Sequence, residues 1–181
     1  MVEHTKILRS LTEHEIASLK QELQLINHLW ESHGGIKNHP TALEDGKTVY
    51  LNQCENDSLK FVKHCFDLVP ETKKIIDSII VAPYHVGRCY WHRLMPGDCI
   101  LPHSDKDVLF VKNKKLERRY QIYLDNNDDI KMMLDNDFVK GSKYSNCLVD
   151  FDLRQMHAYK NTSSAPWYLL VFDALNEPLQ R

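Results

Sequence analysis

Three residues carry the chemistry that this sequence offers most plainly: His103, Asp105 and His157. His103 and Asp105 close the stretch YWHRLMPGDCILPHSD (residues 90–105), after a Pro96-Gly97-Asp98 turn and an apolar run. They stand two apart, and in an extended segment that spacing sends both side chains to one face. His157 lies in a second such run, QMHAYKN (residues 155–161). Two imidazoles and one carboxylate on one side of an ion leave its other positions open, the arrangement of non-haem Fe(II) centres that use O2. On these residues the chain reads as an iron oxygenase. Each piece alone is weak, because His-x-Asp occurs harmlessly on surface strands and a histidine between Met156 and Ala158 is ordinary. The conjunction carries the inference. The same ligands suit zinc, but a zinc hydrolase is disfavoured: there is no HExxH and no plainly placed general base.

The elements that must position these residues divide the chain into two parts. Thr12 with Glu15 forms a capping box, and Ile16, Leu19, Leu23, Ile26 and Trp30 then recur at helical spacing up to Gly34-Gly35. Lys47 to Leu51 reads as a short strand. Asp57 or Ser58 caps a second helix bearing Phe61, Val62, Cys65, Phe66 and Val69, and Pro70 opens a third that ends near Ile80. His33 and His39, loop histidines without a paired partner, are given no role. After Val81 the pattern changes to short runs rich in Tyr, Ile, Val, Leu and Trp, punctuated by Gly87, Pro96-Gly97, Asn126-Asn127, Gly141 and Asn161. The expectation is one α+β domain over residues 1–181, with residues 1–80 a mainly helical buttress and residues 81–181 a β core.

Composition narrows the classes. The 23 basic and 25 acidic residues nearly cancel to a formal charge of -2, which gives no electrostatic footprint for an extended nucleic acid. The 5 cysteines are odd in number and show no CxxC pairing, so neither a disulfide framework nor a thiolate zinc site is indicated. A reducing cytoplasm fits. The first ten residues are too polar for a secretory signal and no apolar run approaches a membrane span, so a soluble protein with no membrane partner is expected.

RLMPGDCILPHSD (93–105), RRYQIYL (118–124) and HAYKNTSSAPWYLLVFDAL (157–175) stand in the order seen in the aspartyl/asparaginyl β-hydroxylase branch of the Fe(II)- and 2-oxoglutarate-dependent oxygenases, which the chain resembles over about residues 90–175. The resemblance implies a double-stranded β-helix, or jelly roll, in which His103, Asp105 and His157 bind Fe(II). It implies 2-oxoglutarate and O2 as cosubstrates, succinate and CO2 as products, and hydroxylation of an aliphatic carbon in an amino acid or an Asp/Asn-type peptide residue. Arg119 matches the arginine of the family's R-x-H-x-x-L strand and is the candidate anchor for the far carboxylate of 2-oxoglutarate, since a guanidinium grips a carboxylate at two points. Gln121 stands where the family has histidine, and Trp167 where it has an arginine at the start of the last strand. Either Arg119 anchors alone, or Arg93 helps, or the cosubstrate lies differently; His92 and Gln121 complete the candidate cosubstrate set. Arg118 reads as the solvated end of the charged loop KNKKLERR, and Trp167 as core or, less favoured, as a wall of the pocket. The missing arginine supports a competing class, a metal-binding, cupin-like jelly roll without oxygenase activity.

Overall fold

The computed structural model describes residues 5–32, 47–54, 61–105 and 116–178. Among the described residues twelve strands run in chain order: β1 (Thr5–Ser10), β2 (Glu31–Ser32), β3 (Lys47–Cys54), β4 (Phe61–His64), β5 (His85–Leu94), β6 (Cys99–His103), β7 (Leu116–Leu124), β8 (Ile130–Leu134), β9 (Asp137–Lys140), β10 (Cys147–Phe151), β11 (His157–Asn161) and β12 (Trp167–Leu175). They form two antiparallel sheets. The larger has the order β1-β10-β7-β12-β5-β3-β2 with β4 paired to β3, and the smaller the order β6-β11-β8-β9. The non-consecutive neighbours arise because the chain passes repeatedly from one sheet to the other, as in a jelly roll.

Both faces of the larger sheet are covered. Cys89 and Trp91 of β5, Ile122 of β7, and Leu170 and Phe172 of β12 share a buried cluster with Leu19 and Leu23 of α1 (Glu13–Leu25) and Ile75 and Ile76 of α2 (Pro70–Ile79). Leu94, Tyr123, Trp167, Leu169 and Val171 point the other way and pack with Ile100, Met132 and Tyr159 of the smaller sheet. A central strand covered on both sides reads as a nearly continuous apolar run rather than an alternating one. That is why β12, between β5 and β7, is WYLLVFDAL.

The capping box is present: the Glu15 amide donates to Thr12 Oγ1 at 3.2 Å, and the Thr12 amide to Glu15 Oε2 at 2.8 Å. α2 has Pro70 at its start but no capping side chain on Val69. Glu22 of α1 takes that role, accepting from the amides of Glu71 (2.6 Å) and Thr72 (2.9 Å) and from the Thr72 hydroxyl (2.6 Å). The orphan donors of one helix thus fix its placement on the other.

The first 80 residues differ from the helical expectation, because β1, β2 and β4 lie among them, while the expected strand at Lys47–Leu51 is present as part of β3. Residues 61–69 form β4 and a 3-10 turn at Phe66–Leu68 instead of a helix. β3 supplies the hydrogen bonds of β4, with His64 opposite Asn52 and Lys63 opposite Gln53, and this strand pairing overrides the helical spacing. α1 stops at Leu25, and the 3-10 turn Asn27–Leu29 brings Trp30 against Tyr168, ring centroids 5.9 Å apart. His33, His39, Gly34-Gly35, Asp57 and Ser58 lie outside the described residues. Cys65, Cys89, Cys99 and Cys147 are free thiols. Among the described residues no helix is long and apolar enough to cross a membrane.

Candidate metal centre

β6 and β11 are neighbours in the smaller sheet, and their register sets His157 directly opposite His103. The two rings lie 4.2 Å apart between centroids. Asp105 follows the end of β6, its amide tied to the Leu153 carbonyl at 2.9 Å. His103 Nε2 is 3.8 Å from Asp105 Oδ1, and His157 Nε2 is 3.8 Å from Asp105 Oδ2. Ligand atoms of all three residues fall within 4.8 Å of one another. Two ligands each about 2.1 Å from a shared ion are at most about 4.2 Å apart, so the carboxylate-imidazole separations already suit a single cation.

The backbone sets which nitrogens face inward. His103 Nδ1 lies 2.8 Å from the Leu101 carbonyl and His157 Nδ1 lies 3.0 Å from the Gln155 carbonyl. A carbonyl accepts only, so each Nδ1 carries the proton and each Nε2 presents a lone pair to the centre. Burial holds the His157 pKa down to about 4, against the raising effect of Asp105, so this imidazole is neutral at neutral pH. Burial opposes ionisation of Asp105, but the Arg119 guanidinium, followed by His157 and His103, outweighs it and keeps that carboxyl below its ordinary pKa. The ligand set is thus two imidazole Nε2 atoms and the Asp105 carboxylate.

Arg119 is 2% exposed and bound on both sides. Its Nε donates to Asp173 Oδ1 at 2.7 Å and its Nη2 to Asp173 Oδ2 at 3.1 Å, while Nη1 donates to Asp105 Oδ2. Asp173 is its direct cross-strand partner on β12 and also accepts from Arg88 Nε at 3.2 Å. Burial works against the guanidinium charge, yet Asp173, with Tyr90 and Asp105, raises the Arg119 pKa well above its usual value. Arg119, the candidate anchor for the far carboxylate of 2-oxoglutarate, is thus held here by two carboxylates of the chain itself. Its place on β7, opposite Asp173, puts it on the Asp105 carboxylate. Asp173 escaped the sequence reading because VFDAL looks like plain core; an ionisable residue inside such a run is the signal that was there to find.

Arg93 is not at the centre. Tyr90 and Leu94 face the smaller sheet, so Arg93 points to the helices, where it donates to Asn27 Oδ1 at 3.0 Å and lies 4.7 Å from the centroid of the Trp30 ring. Arg118 is exposed and pairs with Asp150. His92 does face inward, edge-on to Tyr90 with Nδ1 2.9 Å from Thr48 Oγ1. Gln121 lies one inward position along β7 from Arg119; the Tyr123 hydroxyl donates to its Oε1, as does that of Tyr159 at 3.4 Å. Trp167 stacks on Tyr123 at 6.3 Å and lies 5.6 Å from Tyr159. It is 2% exposed, and its indole N–H is buried with no hydrogen-bond acceptor among the described residues.

No protein-family model matches the sequence, and no curated protein does. The fold is shared with solved structures at low identity. An oxidoreductase of the 2OG-Fe(II) oxygenase family from Burkholderia pseudomallei aligns at TM-score 0.62 and 13% identity, over 97% of this chain and 86% of that one. A Trichoplax adhaerens prolyl hydroxylase, in complex with a peptide fragment of the hypoxia inducible factor oxygen degradation domain, aligns at TM-score 0.65 and 16% identity, over 97% and 84%. A Pseudomonas putida prolyl-4-hydroxylase gives 0.60 and 11%, over 97% and 94%. The chain therefore has the jelly-roll fold of 2-oxoglutarate- and iron-dependent oxygenases.

Proposed function

We propose that the protein is an Fe(II)- and 2-oxoglutarate-dependent dioxygenase that hydroxylates an aliphatic carbon of an amino acid or an Asp/Asn-type peptide residue. The observation that carries this reading is the convergence of His103, Asp105 and His157 within 4.8 Å, with both Nδ1 atoms committed to backbone carbonyls. Such a ligand set fits Fe(II) and leaves positions for other ligands. When bound, Fe(II), 2-oxoglutarate and O2 supply the insertion of oxygen into a C–H bond, with succinate and CO2 released.

The chain's own residues supply the rest. His103 and His157 would hold the iron through Nε2 and Asp105 through a carboxylate oxygen. The cosubstrate fits the inner layer of the larger sheet, where the unsatisfied indole N–H of Trp167 is a donor awaiting an acceptor. A buried donor left unpaired costs about 1–3 kcal/mol, and a carboxylate oxygen would relieve that cost. Gln121, Tyr123, Tyr159 and His92 offer further polar contacts, and apolar packing between the sheets excludes water from them. The sequence motifs favour the aspartyl/asparaginyl β-hydroxylase branch, and the peptide complex of the Trichoplax relative is compatible with a peptide substrate. Four free thiols fit a reducing cytoplasm.

A second reading, a metal-binding jelly roll without oxygenase activity, is favoured by one observation: Arg119 is already held by Asp173 and Asp105. Anaerobic titration with Fe(II) and then 2-oxoglutarate separates the two. The oxygenase gives a metal-to-ligand charge-transfer band and, on admitting O2, succinate. Iron binding with neither band nor succinate would establish the second reading.

A further inference from the structure

We propose that Asp173 is a positioning residue for the metal centre: its ion pair with Arg119 offsets the guanidinium that lies against Asp105, so that the field at the three ligands favours an incoming divalent cation. The inference rests on the reading of His103, Asp105 and His157 as metal ligands. Asp173 is 0% exposed in the middle of an otherwise apolar strand. A buried carboxylate is costly unless paired and hydrogen-bonded, and an apolar replacement of the pair is often no less stable. The pairing alone therefore does not account for a carboxylate here.

What the placement does account for is a row of alternating charge. Arg88, Asp173, Arg119 and Asp105 follow one another by ion pairs, two positive and two negative, so the row is neutral before any cation arrives. Asp105 is its terminal member and the one beside the imidazoles. With Asp173 uncharged, Arg119 would turn its whole charge on Asp105 and repel an incoming dication.

The grip also sets the geometry. Asp173 holds Nε and Nη2 and leaves Nη1 aimed at Asp105 Oδ2. Both oxygens face an imidazole, Oδ1 at 3.8 Å from His103 Nε2 and Oδ2 at 3.8 Å from His157 Nε2, but only Oδ2 also accepts from the guanidinium. Asp105 is thereby set to bind through one oxygen, which keeps further positions on the ion open.

The test is anaerobic Co(II) titration of the metal-free protein by calorimetry, with the visible Co(II) spectrum recorded on each variant. Asp173→Asn is expected to bind Co(II) at least about tenfold more weakly than the parent. Asp173→Asn with Arg119→Gln is expected to recover most of that loss, as coupled sites do. Glu22→Gln, destabilising but remote, should leave the affinity unchanged. Binding by Asp173→Asn within about twofold of the parent, with an unchanged spectrum, overturns the proposal. If Asp173→Asn does not fold, the apolar pair Asp173→Leu with Arg119→Met is measured. A spectrum altered from the parent's supports Arg119 as the group that limits Asp105 to one oxygen, and an identical one overturns it. His157→Ala binding Co(II) as tightly as the parent would instead sink the ligand reading itself.

Discussion

His157 faces His103 across the β6–β11 ladder, each Nδ1 held by the carbonyl two residues before it. The register of two short strands therefore does most of the work of assembling the centre. A slip by one residue would turn one imidazole to the opposite face of the sheet.

The first prediction follows from that dependence. His157→Ala should abolish tight binding of Fe(II) or Co(II) and with it all turnover, while circular dichroism shows the same strand content. One lost ligand of three removes the chelate, whereas the fold is carried by the two apolar clusters on either side of the larger sheet. Turnover by the variant at the parent rate would mean that His157 is not a ligand.

A second prediction separates three arginines. Arg119→Ala leaves Asp173 buried without its two-point partner, and should cost about 3–5 kcal/mol in denaturant unfolding. Arg93→Ala loses a cation–π contact with Trp30, about 0.5–1 kcal/mol, and should leave the 2-oxoglutarate dissociation constant unchanged because its side chain lies on the helix face. Arg118→Ala, at an exposed pair with Asp150, should change neither. A loss of cosubstrate affinity confined to Arg93→Ala would contradict this placement.

The legibility of these features was uneven for physical reasons. Metal ligands could be read because only a few residue types bind metals and their spacing on a strand is local. The first half of the chain was harder, since β1 takes its hydrogen bonds from a distant partner, Thr5 lying opposite Phe151, and β4 takes its own from β3. Arg93 was misplaced because β5 is covered on both faces, so Trp91 and Leu94 are equally buried and apolarity does not tell which face meets the centre. Asp173 was hidden in the same way, by a strand whose both faces are core.

The capping box provides a pH test. Arg9 donates to Glu15 at 2.7 and 2.9 Å, and this pairing, over the opposing effect of burial and with Thr12 assisting, pulls the Glu15 pKa down to about 2. A carboxyl lowered on folding stabilises the protein above its unfolded pKa, and that contribution is lost as pH falls through the folded value. Glu15→Gln should therefore be less stable than the parent near neutral pH, on the order of 1 kcal/mol. The gap should close as pH falls from about 4.5 towards 2. Guanidinium unfolding of both proteins across that range checks it, and a gap independent of pH would show that the Glu15 charge contributes nothing.

The last prediction concerns Trp167, which lies at the beginning of β12 with its indole N–H buried and unsatisfied. Trp167→Phe removes the donor and some volume. Loss of the unpaired N–H is favourable by about 1–3 kcal/mol and the cavity is unfavourable by a similar amount, so the metal-loaded protein without cosubstrate should change in stability by no more than about 1 kcal/mol. Cosubstrate reveals the difference. A ligand that binds only the folded state stabilises it by RT ln(1 + [L]/Kd), so a tenfold weaker 2-oxoglutarate complex gives a smaller thermal shift at the same concentration. With Mn(II) in place of iron and no O2, the parent should show a clear shift with 2-oxoglutarate and Trp167→Phe a much reduced one. An equal shift in the two proteins would mean that the indole holds no part of the cosubstrate, and would turn attention to Gln121 and the paired hydroxyls of Tyr123 and Tyr159, 3.1 Å apart on the same inner layer.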